Sequence, residues 1–195
     1  MNLLHQAKFL LRITRTHAIV RRYFVVNAFD GALTMLGIII GFLVSTPADL
    51  SVIISACLGA AIALGMSGVS SAYLSESAER QHALRNLEDA MIKDLQESAH
   101  GKAARFTPLF IALVNGSSPL IISLLILMPL WLSDAGIPLP LLSPLYASII
   151  FALLLMFLLG VFLGRIANIS WLRSGVQTLL VAVVTSTLIY IFAGQ

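Results

Sequence analysis

Five long apolar stretches separated by short polar intervals organise the chain: Phe24 to Val44, Leu50 to Tyr73, Pro108 to Leu132, Leu142 to Gly164 and Gly175 to Phe192. Each approaches or exceeds the roughly 20 residues that carry a helix across hydrocarbon. Lipid offers backbone N–H and C=O groups no partner, so a run of this length is expected to satisfy them internally as a helix. The pattern therefore predicts an all-α polytopic membrane protein, with five transmembrane helices forming a single transmembrane domain over residues 1–195. The longest polar interval, residues 75–106, predicts a short helical segment between the second and third spans. Residues 1–22 interleave Leu3, Leu4, Leu10, Leu11 and Ile13 with Lys8, Arg12 and Arg15, a pattern that suits either an interfacial helix beside anionic headgroups or a simple basic topogenic arm.

Composition agrees with this reading. Of 195 residues, 58% are hydrophobic and only 11% charged, with a mean hydropathy of +0.95. A soluble domain is typically about a quarter charged, so too few polar residues are present to cover a water-facing surface. The basic residues near the first span could suggest a secretory signal. That apolar run has no small-residue cleavage site and leads into further spans, so it is expected to be a retained helix. The single cysteine, Cys57, excludes an intrachain disulfide.

Charge placement predicts orientation. Lys8, Arg12, Arg15, Arg21 and Arg22 precede the first span, Arg80, Arg85, Lys93, Lys102 and Arg105 lie between the second and third, and Arg165 and Arg173 lie between the fourth and fifth. The alternate segments, Ser45 to Asp49, Ser133 to Leu141 and the tail to Gln195, contain no Lys or Arg. Positive residues collect on the cytoplasmic side, so the N-terminus is expected inside and the C-terminus outside. Because topology accounts for the net charge of +3, no nucleic-acid partner is expected.

Small residues predict close helix packing. Ser55, Gly59, Ala63, Ser67 and Ser71 recur every fourth residue in the second span, with Gly37 and Gly41 in the first and Gly160 and Gly164 in the fourth. Such spacing lets helix backbones approach one another. The third span carries Asn115, Gly116, Ser117, Ser118 and Pro119 in mid-sequence. A helix break lining a cavity and a plain proline kink both fit that string.

Of the nine acidic residues, Asp30 alone lies within an apolar span. An ionisable group at membrane depth costs several kcal/mol unless it meets a polar partner or cavity, so it is a functional candidate by default. A carboxyl group so placed can trade its proton for a metal ion. Asn27, Thr34 and Met35 lie about one turn away and are candidate lining, as is Asn115; Met66 adds a soft thioether suited to transition metals. In the polar interval, Glu76, Glu79 and His82 fall at three-residue steps, so neighbouring members can meet on a helix. They are candidate metal-gathering groups, or simply the solvated face of an amphipathic helix with Arg80, Arg85 and Lys93 as ion-pair partners.

NAFDGALTMLGIIIGF, with its Asp30–Gly31 pair, resembles the vacuolar iron transporter family, and the resemblance extends through GMSGVSSAYLSESAER, LVNGSSPLIISLLILMPL and FLLGVFLGRIANISWLRSGVQTLLVAVVTSTLIYIFAG. It covers nearly the whole chain from about Arg21 onward and looks like a short prokaryotic branch. The resemblance implies a homodimer of five-helix protomers in the prokaryotic plasma (inner) membrane, carrying divalent iron or manganese out of the cytoplasm in exchange for protons. No permanently bound cofactor is implied; the metal is cargo. Asp30 matches the family's first-span acid and Met66 its second-span methionine. The chain departs from the family where Ala72 precedes Tyr73 in place of a glutamate, and where the cytoplasmic metal-binding domain is reduced to about thirty residues.

An enzyme is not expected. A lipid-headgroup transferase needs further intramembrane aspartates, and Ser67 in the Gly65–Gly68 string would lack a general base, because His5, His17, His82 and His100 all lie outside the spans. The alternative from a different class is a non-transporting membrane scaffold or regulator of the same fold, which predicts Asp30 buried against another helix.

Overall fold

The computed structural model describes residues 16–45, 47–137 and 142–193, and their regular structure is entirely α-helical. Five helices follow in order: α1 (Thr16–Val44), α2 (Leu50–Met91), α3 (Ala99–Asp134), α4 (Pro144–Ile166) and α5 (Trp171–Ala193). All five are long and apolar enough to cross a bilayer, the architecture of a multi-pass integral membrane protein. Most of the basic N-terminal segment lies outside the described residues; from Thr16 onward the chain is already part of α1.

The polar interval is not a separate element. α2 has 42 residues and α3 has 36, so at about 1.5 Å per residue each far exceeds a hydrocarbon layer of about 30 Å. Residues 75–91 continue the second span as helix, and residues 99–107 begin the third, leaving a turn over 92–98. Ile92 adopts a positive φ of 50°, the left-handed conformation that stops a helix. The Glu88 carboxylate then accepts from Leu95 N at 2.9 Å and from Gln96 Nε2 at 3.3 Å. The Ser98 hydroxyl accepts from the backbone N–H groups of His100 and Gly101, capping α3.

Contacts divide the chain into two compact units, one comprising the part up to Phe24 with Gly65–Ser117, the other Val25–Leu64 with Ser118 onward. The second holds the main apolar core: Ala28, Ala32, Met35, Leu36 and Ile39 of α1 pack with Ile54, Cys57 and Ala61 of α2, Ile126 and Leu130 of α3, and Met156 of α4. Its α4–α5 hairpin is tight. A Cβ on Gly160 would strike the Thr178 side chain and the Ser174 carbonyl, while the Thr178 hydroxyl donates to Met156 O at 3.0 Å. Asn168, at φ 53°, turns the chain between the two helices. The Gly160–Gly164 pair thus packs as the sequence predicts.

In the first unit, α2 and α3 meet backbone to backbone. A Cβ on Gly116 would collide with the Gly65 carbonyl and the Val69 side chain, and one on Gly68 would lie 3.1 Å from Gly116 Cα. α3 remains helical through Asn115–Pro119, so of the two readings of that string the helix break does not occur. Residues that weaken an isolated helix instead form a contact surface narrow enough for another backbone to approach, and packed neighbours make such sequences tolerable in lipid.

The stripe Ser55, Gly59, Ala63, Ser67 and Ser71 faces outward from the protomer. All five positions are exposed, whereas Ile54, Cys57, Ala61, Gly65, Gly68 and Ala72 form the buried face of α2. The stripe therefore lies on the outer surface of the protomer, where a Cβ on Gly59 would meet nothing within 4 Å. Gly116→Ala should lower stability by about 1–3 kcal/mol through overpacking against backbone, while Gly59→Ala should be neutral or slightly stabilising. The buried Cys57 thiol provides the readout: thermal unfolding followed by a thiol-reactive dye should place the Gly116 variant well below wild type and the Gly59 variant beside it.

Candidate functional site

Asp30 lies inside the apolar stretch of α1 (Val20–Val44) and is exposed on the protomer surface. Its neighbour Gly31 explains the pair. A Cβ on Gly31 would come within 2.7 Å of Pro119 O and 2.8 Å of Pro119 Cα, so α1 and α3 approach in the second unit at a distance that only glycine permits. This contact fixes the backbone beside Asp30 while leaving the carboxylate outward. The one salt bridge among the described residues is Arg80–Glu76, so Asp30 makes no ion pair with any of them.

The lining candidates separate. Asn27 and Thr34 are half-buried and share a face of α1 with Asp30 by their three- and four-residue spacing. Met35 turns the other way and is fully buried in the core. Met66 is 60% exposed on α2, one residue beyond the buried Gly65. Asn115 is 4% exposed and donates from Nδ2 to Gly68 O at 2.7 Å. Its amide hydrogen-bonds across the helix crossing, a role that accounts for its burial.

The Glu76–Glu79–His82 series is likewise split. Glu76 is 8% exposed; its carboxylate accepts from the Tyr23 hydroxyl at 3.4 Å and lies 3.5 Å from Arg80 Nε one turn along the helix. Glu79 and His82 are exposed, and the His82 ring lies 3.2 Å from the Asn86 amide. Among the described residues no three His, Cys, Asp or Glu side chains group to hold a metal ion. Sequence reasoning missed Tyr23, the partner of Glu76, and, although it singled out Pro119, it missed the contact by which Pro119 seats Gly31. Neither forms a local pattern with the residue it meets, because each pair is distant in the chain.

Comparison with known proteins sets this arrangement in a family. The uncharacterized protein MJ0645 of the archaeon Methanocaldococcus jannaschii is 34% identical over 159 residues, 80% of this chain and 79% of that protein. The chain belongs to that protein's family. No family model matches it.

Asn115→Ala removes the amide that joins α3 to the Gly68 carbonyl, and interhelical hydrogen bonds in membranes contribute about 1–2 kcal/mol. The variant's thermal midpoint in detergent should fall accordingly. An unchanged midpoint would remove the packing role and return Asn115 to the set of lining candidates.

Proposed function

We propose that the protein exports a divalent transition metal, iron or manganese, from the cytoplasm in exchange for protons, as a short prokaryotic relative of the vacuolar iron transporters. The reading includes a homodimer in the plasma membrane with the N-terminus inside and the C-terminus outside. The observation that carries it is Asp30, the single acid within an apolar span, turned outward from its own protomer. A carboxylate at that depth is too costly to leave against lipid, so its surroundings must be a polar path or a second protein surface. A scaffold would be expected to bury it against a neighbouring helix.

In this mechanism Asp30 releases its proton on one side as it takes a hydrated metal ion and is reprotonated on the other as the ion leaves. Met66, exposed on α2, supplies a thioether that favours a transition metal over alkali ions. Asn27 and Thr34 line the same face of α1 and replace part of the ion's water shell. Glu79 and His82, exposed on the polar extension of α2, meet the ion first. The outward stripe Ser55–Gly59–Ala63–Ser67–Ser71 is the face we assign to the second protomer, since its small side chains suit backbone approach and are exposed on the protomer surface.

Asp30→Asn should abolish metal-dependent proton flux in proteoliposomes loaded against iron, manganese or cobalt, with the oligomer intact by light scattering. Undiminished flux would eliminate the proposed exchange group, and an absence of metal flux in the wild type would favour the scaffold. Separately, Gly59→Leu should shift the detergent-solubilised protein from dimer to monomer without lowering its thermal midpoint; a dimer that persists would place the partner on another face.

A further inference from the structure

Where α2 and α3 extend past their apolar stretches, both within the first unit, they enclose a cavity of about 310 Å³. Tyr73, Ser77, Gln81, Arg85, Gln96 and Arg105 supply its polar lining, and the described lining residues include no carboxylate. Tyr73, Ser77 and Gln81 recur every fourth residue and so present one face of α2. Arg105 is held in place: its Nη2 donates to Gln96 Oε1 at 3.2 Å, and Gln96 Nε2 in turn donates to Glu88 Oε1 at 3.3 Å. The Glu88 carboxylate is thus engaged by the turn, and what reaches Arg105 is a neutral amide oxygen. Arg85 has no ion pair among the described residues, where Arg80–Glu76 is the one salt bridge.

Two guanidinium groups lining one cavity, with no carboxylate among the described lining residues, make it electropositive and favour an anion there. Arginine presents a planar fork of donors matched to phosphate oxygens, and here hydroxyl and amide groups from Tyr73, Ser77 and Gln81 are available for the remaining oxygens. Position narrows the source. Tyr73 closes the second apolar stretch and Arg105 lies three residues before the third, which begins at Pro108, so the Tyr73–Arg105 end of the cavity lies at the polar–apolar boundary where lipid headgroups lie. Basic pockets between membrane helices at that level bind anionic headgroups.

We propose that this cavity binds a phosphate-bearing anion, with Arg85 and Arg105 as its charge partners, and that its depth matches the phosphodiester of an anionic lipid. The inference is independent of metal transport, because its readout is binding.

The test titrates purified full-length protein in detergent with phosphatidylglycerol, phosphatidylcholine and inorganic phosphate, followed by native mass spectrometry. Wild type should bind phosphatidylglycerol saturably and phosphatidylcholine more weakly. Arg85→Gln with Arg105→Gln should weaken phosphatidylglycerol binding by about tenfold or more. Both arginines are exposed, so the fold should persist, as Cys57 dye labelling would verify. Arg85→Lys with Arg105→Lys keeps the charge but loses the fork and should fall between. Arginine-dependent binding of inorganic phosphate without lipid binding would keep the site and identify a soluble ligand. Equal binding of every anion by wild type and both double variants would overturn the proposal.

Discussion

The backbone contact between α2 and α3 at Gly65, Gly68 and Gly116, tied by the Asn115 amide to the Gly68 carbonyl at 2.7 Å, is the constraint on which the first unit depends. Apolar side chains gain little by leaving lipid for another apolar surface, so association must come from close packing and from polar groups that have nowhere else to go. Glycine removes the side chain that would hold the helices apart, and asparagine supplies a donor that hydrocarbon cannot satisfy. Together they make one register of α2 against α3 better than its neighbours. Asn115 and Gly116 of the Asn-Gly-Ser-Ser-Pro string supply this contact, so residues that weaken an isolated helix are used as a fitted surface.

The same device operates in the second unit with different partners. Gly31 lies against the Pro119 backbone and Gly160 against Thr178, and around these contacts an ordinary apolar core fills in from all five helices. Function inherits its geometry from this packing. Because Gly31 faces α3, its neighbour Asp30 is turned away from that contact, and the most expensive residue of the span is left outward. An outward carboxylate in a membrane helix requires something other than lipid to meet it, and this requirement links the fold to the proposed ion path and dimer.

Beyond the apolar stretches the rules change, because water and headgroups can satisfy charge. There the extended ends of α2 and α3 use ordinary soluble-protein devices: a positive-φ stop at Ile92, a serine cap at Ser98 and a carboxylate holding the turn. Glu76 is withdrawn toward Tyr23 and Arg80, while Arg85 and Arg105 converge on a cavity. The polar extension therefore separates its charges, with Glu79 and His82 outward and the arginines gathered elsewhere, although all of them lie mixed along a single stretch of sequence.

Composition and hydrophobic run length determined the membrane class and the five helices, because the cost of unsatisfied backbone in lipid leaves a roughly 20-residue apolar run little choice but helix. The isolation of Asp30 was equally plain, since a lone acid among apolar residues needs no partner to be noticed. What the tertiary structure decided was facing. In a membrane helix the lipid side and the protein side are both apolar, so periodicity could not tell that the Ser55–Ser71 stripe points outward while Gly65, Gly68 and Ala72 point inward. Nor could it tell that Asn115 is engaged in packing, that Met35 is core, or that Glu76 and Glu79 part company after three residues. Each of those outcomes depends on which distant backbone comes close, a choice made between helices.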